Sequence, residues 1–129
     1  MGVFTGDYGI TWLSPRLYLY RPARGNPLTY TTDNGTKIIL SDVFETDGAT
    51  IPRIFWSIPG FSPFDFFKAA LVHDWLYEMH HAGTSPIDFY EANEILEEAC
   101  VAIGYSKWKA KLVRRMCDLF GHGVWDRGL

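Results

Sequence analysis

The pattern of apolar and polar positions changes its period near residue 60, and this change divides the chain into two parts. Before it, short runs rich in Tyr, Thr, Ile and Leu alternate with Gly, Pro and Asn, which predicts strands and turns. Strands are predicted over residues 16–20, 28–32 and 36–40, the last two joined by Asp-Asn-Gly at 33–35. Asn-Gly favours a tight hairpin, because both central positions of such a turn adopt positive φ. The first part is therefore predicted to form a small antiparallel sheet.

After residue 60 the apolar positions follow a helical period with clear start and stop signals. Two Ser-Pro pairs each place serine as an N-cap and proline at the first helical position, with an acid two residues later near the positive helix end. Gly83 and Gly104 mark the ends of these two helices, and Ser106 is predicted to cap a third. The predicted helices cover residues 63–82, 86–103 and 107–120.

Together the two parts predict an α+β fold in a single domain over residues 1–129, with 1–60 mainly strands and loops and 61–129 helical. Only a few residues join the first two helices, so these helices are expected to pack as an antiparallel pair. The composition, 47% hydrophobic and 21% charged, is that of a folded globular chain. Aromatic residues make up 16% of it, which predicts a core or an interface rich in rings.

The charge and the cysteine content narrow the range of partners and compartments. A net charge of −3 gives no reason to expect nucleic acid as a partner, and the five cations within 107–115 are interpreted as a solvated helix face. No run of about 18 apolar residues exists, so no transmembrane segment is predicted. The N-terminal residues lack the features of a signal peptide. Cys100 and Cys117 are predicted to be buried thiols of a protein made in a reducing cytoplasm.

The candidate chemistry lies on the first helix, in the segment Ala-Ala-Leu-Val-His-Asp-Trp-Leu-Tyr at 69–77. Helical spacing places His73 and Tyr77 nearly above one another, whereas His73 and Asp74 diverge by about 100°. His73 and Asp74 therefore do not share one proton directly, but they can line adjacent sides of a cleft. In that arrangement the imidazole acts as a general base towards water, and the carboxylate holds a cation beside it. The structural alternative is that Asp74 accepts backbone N–H groups and ties the helix to loops.

Two further positions are expected to complete this site. The second nitrogen of His73 needs a partner from the next helix, either Asn93 on its predicted interior face or Asp88 in its first turn, where capping also explains the acid. Asp47, in an Asp-Gly turn, is expected to approach His73 and Asp74. A site with two such acids suits calcium or magnesium better than zinc, the alternative being that Asp47 only shapes a rigid turn.

Residues 69–77 resemble the active-site helix of phospholipases A2, whose pattern is Cys-Cys-x-x-His-Asp-x-Cys-Tyr. His73, Asp74 and Tyr77 match it, while alanine or leucine occupies the three cysteine positions. The resemblance implies that the histidine activates water, the aspartate binds calcium, and the tyrosine supports a second acid from the next long helix. It also implies an ester or phospholipid substrate. The chain departs from the family at two points: it lacks the glycine-rich calcium loop, and the second acid is either replaced by Asn93 or must be Asp88.

A broader resemblance extends over most of residues 43 to 120. Its motifs are Thr-Asp-Gly-Ala-Thr-Ile-Pro at 46–52, His-Asp-Trp-Leu-Tyr at 73–77 and Ala-Asn-Glu-Ile-Leu at 92–96. They resemble a DUF1353-like family of small proteins of unknown function, encoded largely by tailed phages and prophages. The chain departs from that pattern at Thr50, Asn93 and Leu96, which replace Ser, Asp and Phe. The resemblance implies a product made in a bacterial host's cytoplasm, with incorporation into a virion as one role.

Two hypotheses of different classes follow. In the first, the protein is a hydrolase: His73 activates water, Tyr77 and Asn93 support the site, and Asp74 with Asp47 holds a divalent cation such as Ca²⁺. In the second, the protein is a non-enzymatic tail, baseplate or other virion component. Its His-Asp network is then structural, and its aromatic rings contact other phage structural proteins.

Overall fold

The computed structural model describes residues 2–14, 17–46, 67–83 and 87–120. In chain order, the strands and helices are β1 (Val3–Thr5), β2 (Tyr8–Ser14), β3 (Leu17–Pro22), β4 (Thr29–Thr31), β5 (Lys37–Ile39), β6 (Phe44–Thr46), α1 (Phe67–His81), α2 (Phe89–Ala102) and α3 (Lys107–Phe120). The predicted α+β class, with strands followed by three helices, is confirmed.

The strands form two three-stranded antiparallel sheets rather than one. One sheet has the order β1-β4-β5 and the other β2-β3-β6. Strands β3, β4 and β5 were predicted, whereas β1, β2 and β6 were not. Two of the missed strands have only three residues, and β1 pairs with β4 across more than twenty intervening residues. Such strands depend on their partners more than on their own periodicity.

The β4–β5 hairpin is confirmed, but its turn differs from the prediction. Gly35 has a φ of 90°, whereas no residue other than glycine in the described chain has a positive φ, so Asn34 does not adopt it. The Gly35 N–H donates to the Thr32 carbonyl at 3.0 Å, and the Thr32 N–H donates to the Thr36 carbonyl at 2.9 Å. This pattern is that of a three-residue loop closed by a glycine. The Thr32 hydroxyl stabilises it by accepting from the Thr36 N–H at 3.1 Å.

The helix ends follow their signals with one correction. Helix α1 ends before Gly83, whose φ is 74°, and α3 covers the predicted 107–120. Helix α2 starts three residues later than predicted, at Phe89, because Asp88 is its N-cap and accepts from the Glu91 N–H at 2.8 Å. Ser85, the predicted cap, and the predicted start of α1 at 63–66 lie outside the described residues.

Helix α2 lies between α1 and α3, and both sheets contact this helical layer. Strand β6 contacts α1 through rings: the centroids of Phe44 and Trp75 are 5.4 Å apart. Strand β1 contacts α2, and a hydrogen bond of 2.6 Å from the Tyr30 hydroxyl to Glu98 joins the same sheet to that helix. Both cysteines are buried free thiols, as predicted. Helix α2 packs against both α1 and α3, and the candidate site lies between these helices.

Candidate functional site

His73 lies on the inner face of α1 and is almost completely buried, with 2% of its surface exposed. One turn later on the same face is Tyr77, whose ring centroid is 4.5 Å from that of the imidazole at an interplanar angle of 50°. Helical spacing predicted this contact. The phenol packs against the imidazole and limits its rotation.

The opposite side of the imidazole is held by α2. Nε2 of His73 is 2.7 Å from Oδ1 of Asn93, a residue with no exposed surface. The amide of Asn93 in turn donates through Nδ2 to Oδ1 of Asp118, on α3, at 2.8 Å. The choice left open by the sequence, between Asn93 and Asp88, is thus resolved in favour of Asn93. Asp88 is the N-cap of α2 instead.

This chain of hydrogen bonds fixes the tautomer of His73. A carboxylate can only accept, so the NH₂ group of Asn93 must face Asp118 and its oxygen must face His73. That oxygen can only accept as well, so Nε2 of His73 carries the hydrogen. A neutral imidazole with hydrogen on Nε2 has a lone pair on Nδ1. His73 therefore presents a basic nitrogen on the side away from Asn93.

Nδ1 of His73 is buried and has no hydrogen-bond partner among the residues that the structure describes. Burial lowers the pKa of His73 to about 4, and the bond to Asn93 only partly opposes this effect. The imidazole is consequently uncharged at neutral pH, and no described residue donates to its Nδ1 lone pair. Buried polar atoms are nearly always paired, so an unpaired one calls for an explanation.

Beyond Asn93, the network continues to the surface of α3. Oδ2 of Asp118 is 3.9 Å from Nε of Arg114, which also contacts Glu97 at 3.2 Å and Glu94 at 3.1 Å. Asp118 therefore lies near the Arg114 guanidinium through one carboxylate oxygen and accepts from Asn93 through the other. Asp118 was not predicted as a site residue, and Arg114 was interpreted as part of a solvated helix face. One signal was available: Asp118 is the only acid of α3 and lies one turn after Arg114.

Tyr77 is buried, which raises the pKa of its hydroxyl, and the nearby charges of Cys117, Asp74 and Asp118 add to the effect. It is a neutral phenol across the range in which His73 titrates. Asp74 is partly exposed, unlike its buried neighbours His73 and Trp75. Asp74 is thus the one residue of 69–77 that is not buried.

The structure describes one of the two expected metal ligands. Asp47 lies outside the described residues, and Asp74 is the single expected ligand inside them. In the described ranges, no three His, Cys, Asp or Glu side chains lie together as a metal-binding group. A calcium site at Asp74 thus needs oxygen ligands from elsewhere in the chain, since Ca²⁺ takes six to eight of them.

Comparison with known proteins places the chain in a family without assigning an activity. No described helix is both long and apolar enough to cross a membrane. The chain matches no curated protein and no solved structure. The model of one protein family matches residues 25–115, a range that includes His73, Tyr77 and Asn93 but not Asp118. The chain therefore belongs to the family described as protein of unknown function DUF1353.

Proposed function

We propose that this protein is a hydrolase in which His73 acts as a general base through Nδ1. The observation that carries the proposal is that Nδ1 of His73 is buried and has no partner among the described residues, while Asn93 holds the other ring nitrogen. A histidine with a purely structural role normally has both ring nitrogens bonded, because an unpaired buried polar atom costs about 1–3 kcal/mol. A general base instead needs one nitrogen held and the other open to the proton that it accepts.

The proposed reaction is the hydrolysis of an ester. Nδ1 of His73 takes a proton from water as the water oxygen attacks the ester carbonyl carbon. The carbon–oxygen bond to the leaving alcohol then breaks, and the proton passes from Nδ1 to the leaving oxygen. While His73 is protonated, its Nε2–H bond to Asn93 strengthens, since hydrogen bonds to charged groups are the stronger ones. The choice of an ester, and of a phospholipid in particular, rests on the phospholipase-like segment at 69–77.

Calcium belongs to the proposal through Asp74 and Asp47. Carboxylate oxygens are the ligands that Ca²⁺ prefers, and Asp74 is partly exposed next to the general base. When bound there, a divalent cation would supply charge stabilisation for the oxygen of the ester carbonyl. The roles of His73, Asn93 and Asp118 do not depend on the metal, because their hydrogen bonds form without it.

The test is an assay of phospholipid and short-chain ester cleavage, with added calcium and with a chelator. His73→Gln keeps a donor for Asn93 but removes the base, so the rate should fall by about 100-fold or more. His81→Gln is the matched control, since it changes an exposed histidine of the same helix and should leave the rate unchanged. Thermal unfolding of both variants separates a lost base from a lost fold. A rate that His73→Gln does not change would exclude His73 as the base.

A second candidate function is non-enzymatic and is favoured by the 2% exposure of His73. The bonds from His73 through Asn93 to Asp118 join all three helices, as a structural network in a particle component would. In this proposal the protein is a phage tail, baseplate or other virion part. It predicts no hydrolysis of any ester, with or without calcium, and the presence of the protein in purified particles.

A further inference from the structure

The outward face of α3 carries a row of large apolar side chains in solvent. Trp108 is 64% exposed, Leu112 37% and Leu119 73%. At 100° per residue these three positions lie within about 40° of each other around the helix, and they span roughly 16 Å along it. We call this row the α3 strip. Buried residues, among them Ala110, Val113 and Cys117, occupy the opposite face of the helix, which packs against α2.

Cations flank the α3 strip on both sides. Lys111 and Arg115 are exposed on one side, and on the other the ammonium group of Lys109 lies 6.0 Å from the centre of the Trp108 ring. The single acid of the helix, Asp118, is already bound by Asn93 and Arg114. The strip is thus an apolar row with a positive border.

The positive charge of α3 contrasts with the negative charge of the rest of the chain. Helix α3 contains five Lys or Arg residues and one Asp, whereas the other 115 residues contain seven Lys or Arg and fourteen Asp or Glu. A positive helix on an otherwise acidic protein attracts an anionic partner to that helix alone. The partner must also cover exposed tryptophan and leucine side chains, because an apolar row of this size is otherwise left in water.

A second copy of the chain fits these requirements poorly. Two strips facing each other would place Lys111 and Arg115 against like charges. The strip of one copy could instead face an acidic cleft on α2 of the other copy. Two acids of that cleft are already engaged, because Glu94 pairs with Arg114 and Glu98 binds Tyr30. This cleft is otherwise lined by Thr32, Asn34, Thr36, Glu91 and Ile95, which offer little apolar surface. A nucleic acid would pair with the cations through its phosphates, but its backbone would leave the leucines uncovered.

We propose that the α3 strip binds the surface of an anionic lipid bilayer. Trp108, Leu112 and Leu119 lie at the boundary between headgroups and acyl chains, and Lys111 and Arg115 reach the phosphates. Helices that lie in a membrane surface combine these features: an apolar row with Trp and Leu, bordered by Lys and Arg. Binding by the strip requires no residue of the His73 site, so it is independent of the proposed hydrolase. If both hold, the strip brings the site to its phospholipid.

The experiment is co-sedimentation of the purified full chain with vesicles of phosphatidylglycerol or of phosphatidylcholine. The wild type should bind the anionic vesicles at least about tenfold more tightly, and 1 M salt should weaken this binding. Trp108→Ser with Leu119→Ser, and separately Lys111→Glu with Arg115→Glu, should each reduce it by about tenfold or more. All of these residues are on the surface, so the fold is expected to survive their replacement.

Two controls keep the outcomes distinct. Ile39→Ser with Tyr90→Ser removes exposed apolar side chains outside α3 and should leave binding unchanged. His73→Gln should also bind normally, so that failure of the hydrolase and failure of lipid binding are seen separately. Equal binding to both kinds of vesicle, or an equal loss in the Ile39/Tyr90 control, would overturn the proposal. So would a dimer that the strip variants convert to a monomer, or tighter binding to duplex DNA than to anionic vesicles.

Discussion

At the scale of single residues, the central feature is an imidazole whose two nitrogens differ in hydrogen bonding. Nε2 of His73 is bound by Asn93, while Nδ1 is buried without a partner in the described part of the chain. His73, Tyr77 and Asn93 were all singled out from the sequence, because helical spacing predicts which side chains share a face. The tautomer was not predictable, since it follows from the orientation of the Asn93 amide and therefore from Asp118.

The burial of His73 makes stability depend on pH. Its pKa in the folded protein, about 4, is below the ordinary value of 6.5, so between these values the unfolded chain binds a proton that the folded protein does not. The contribution of the neutral His73 to stability is therefore present above about pH 6.5 and is lost as the pH drops towards 4. Urea unfolding should show a loss of about 2 kcal/mol from pH 7 to pH 5. His73→Gln should lack this component, and an identical pH dependence in the variant would assign the loss to other groups.

At the scale of elements, the site is made where three helices meet. The position of Asp118 opposite Asn93 depends on the packing of α3 against α2, which no local pattern specifies. This is why the sequence predicted the boundaries of α3 correctly but missed its contribution to the site. The start of α2 was mispredicted even though its signals are local. Ser85 and Asp88 both have capping signals, and Asp88 is the N-cap in the structure.

Removal of the Asp118 carboxylate should destabilise the helical layer. Asp118→Ala leaves the fully buried NH₂ group of Asn93 without its acceptor, which should lower the free energy of unfolding by about 1–3 kcal/mol. Glu94→Ala is the matched control, because it removes only an exposed contact with the same Arg114 and should lower it by less than about 1 kcal/mol. Equal losses in the two variants, measured by urea unfolding, would show that the Asn93 contact adds nothing.

The N-cap of α2 provides a separate test of the site's composition. Asp88→Ala should lower the free energy of unfolding by about 1 kcal/mol, because the Glu91 N–H loses its acceptor. Asp88→Ser should restore most of that stability, since serine also caps helices well. Neither variant should alter the proposed hydrolysis. A fall in its rate with an intact fold would return Asp88 to the site.

At the scale of the whole molecule, two three-stranded sheets contact a layer of three helices. The α+β class and the order of its parts were predictable from the change of period near residue 60. The division into two sheets was not, because β1 and β6 find partners far along the chain. Glu98 is one of the groups that hold the layers together, since it accepts from both the Tyr30 hydroxyl and the Asp33 N–H.

Loss of Glu98 should accordingly weaken the contact between sheet and helix. Glu98→Ala removes two acceptor contacts, one of them to the buried Tyr30, and should lower the free energy of unfolding by about 2 kcal/mol. Glu91→Ala, on the same helix and facing the same cleft, has no such contact with the sheet among those described and serves as the control. Guanidinium unfolding of both variants measures the difference, and an equally small effect would show that the layers are held by apolar packing alone.

The most direct test of the central claim is nitrogen NMR of the His73 imidazole across a pH titration. The account predicts a neutral ring at pH 7, with the hydrogen on Nε2 and a free lone pair on Nδ1, and a midpoint near pH 4. Asp118→Asn should lower the proportion of this tautomer, because an asparagine at 118 no longer dictates the orientation of the Asn93 amide. A hydrogen on Nδ1 in the wild type, or a midpoint near 6.5, would contradict the account of a neutral imidazole with a free lone pair on Nδ1.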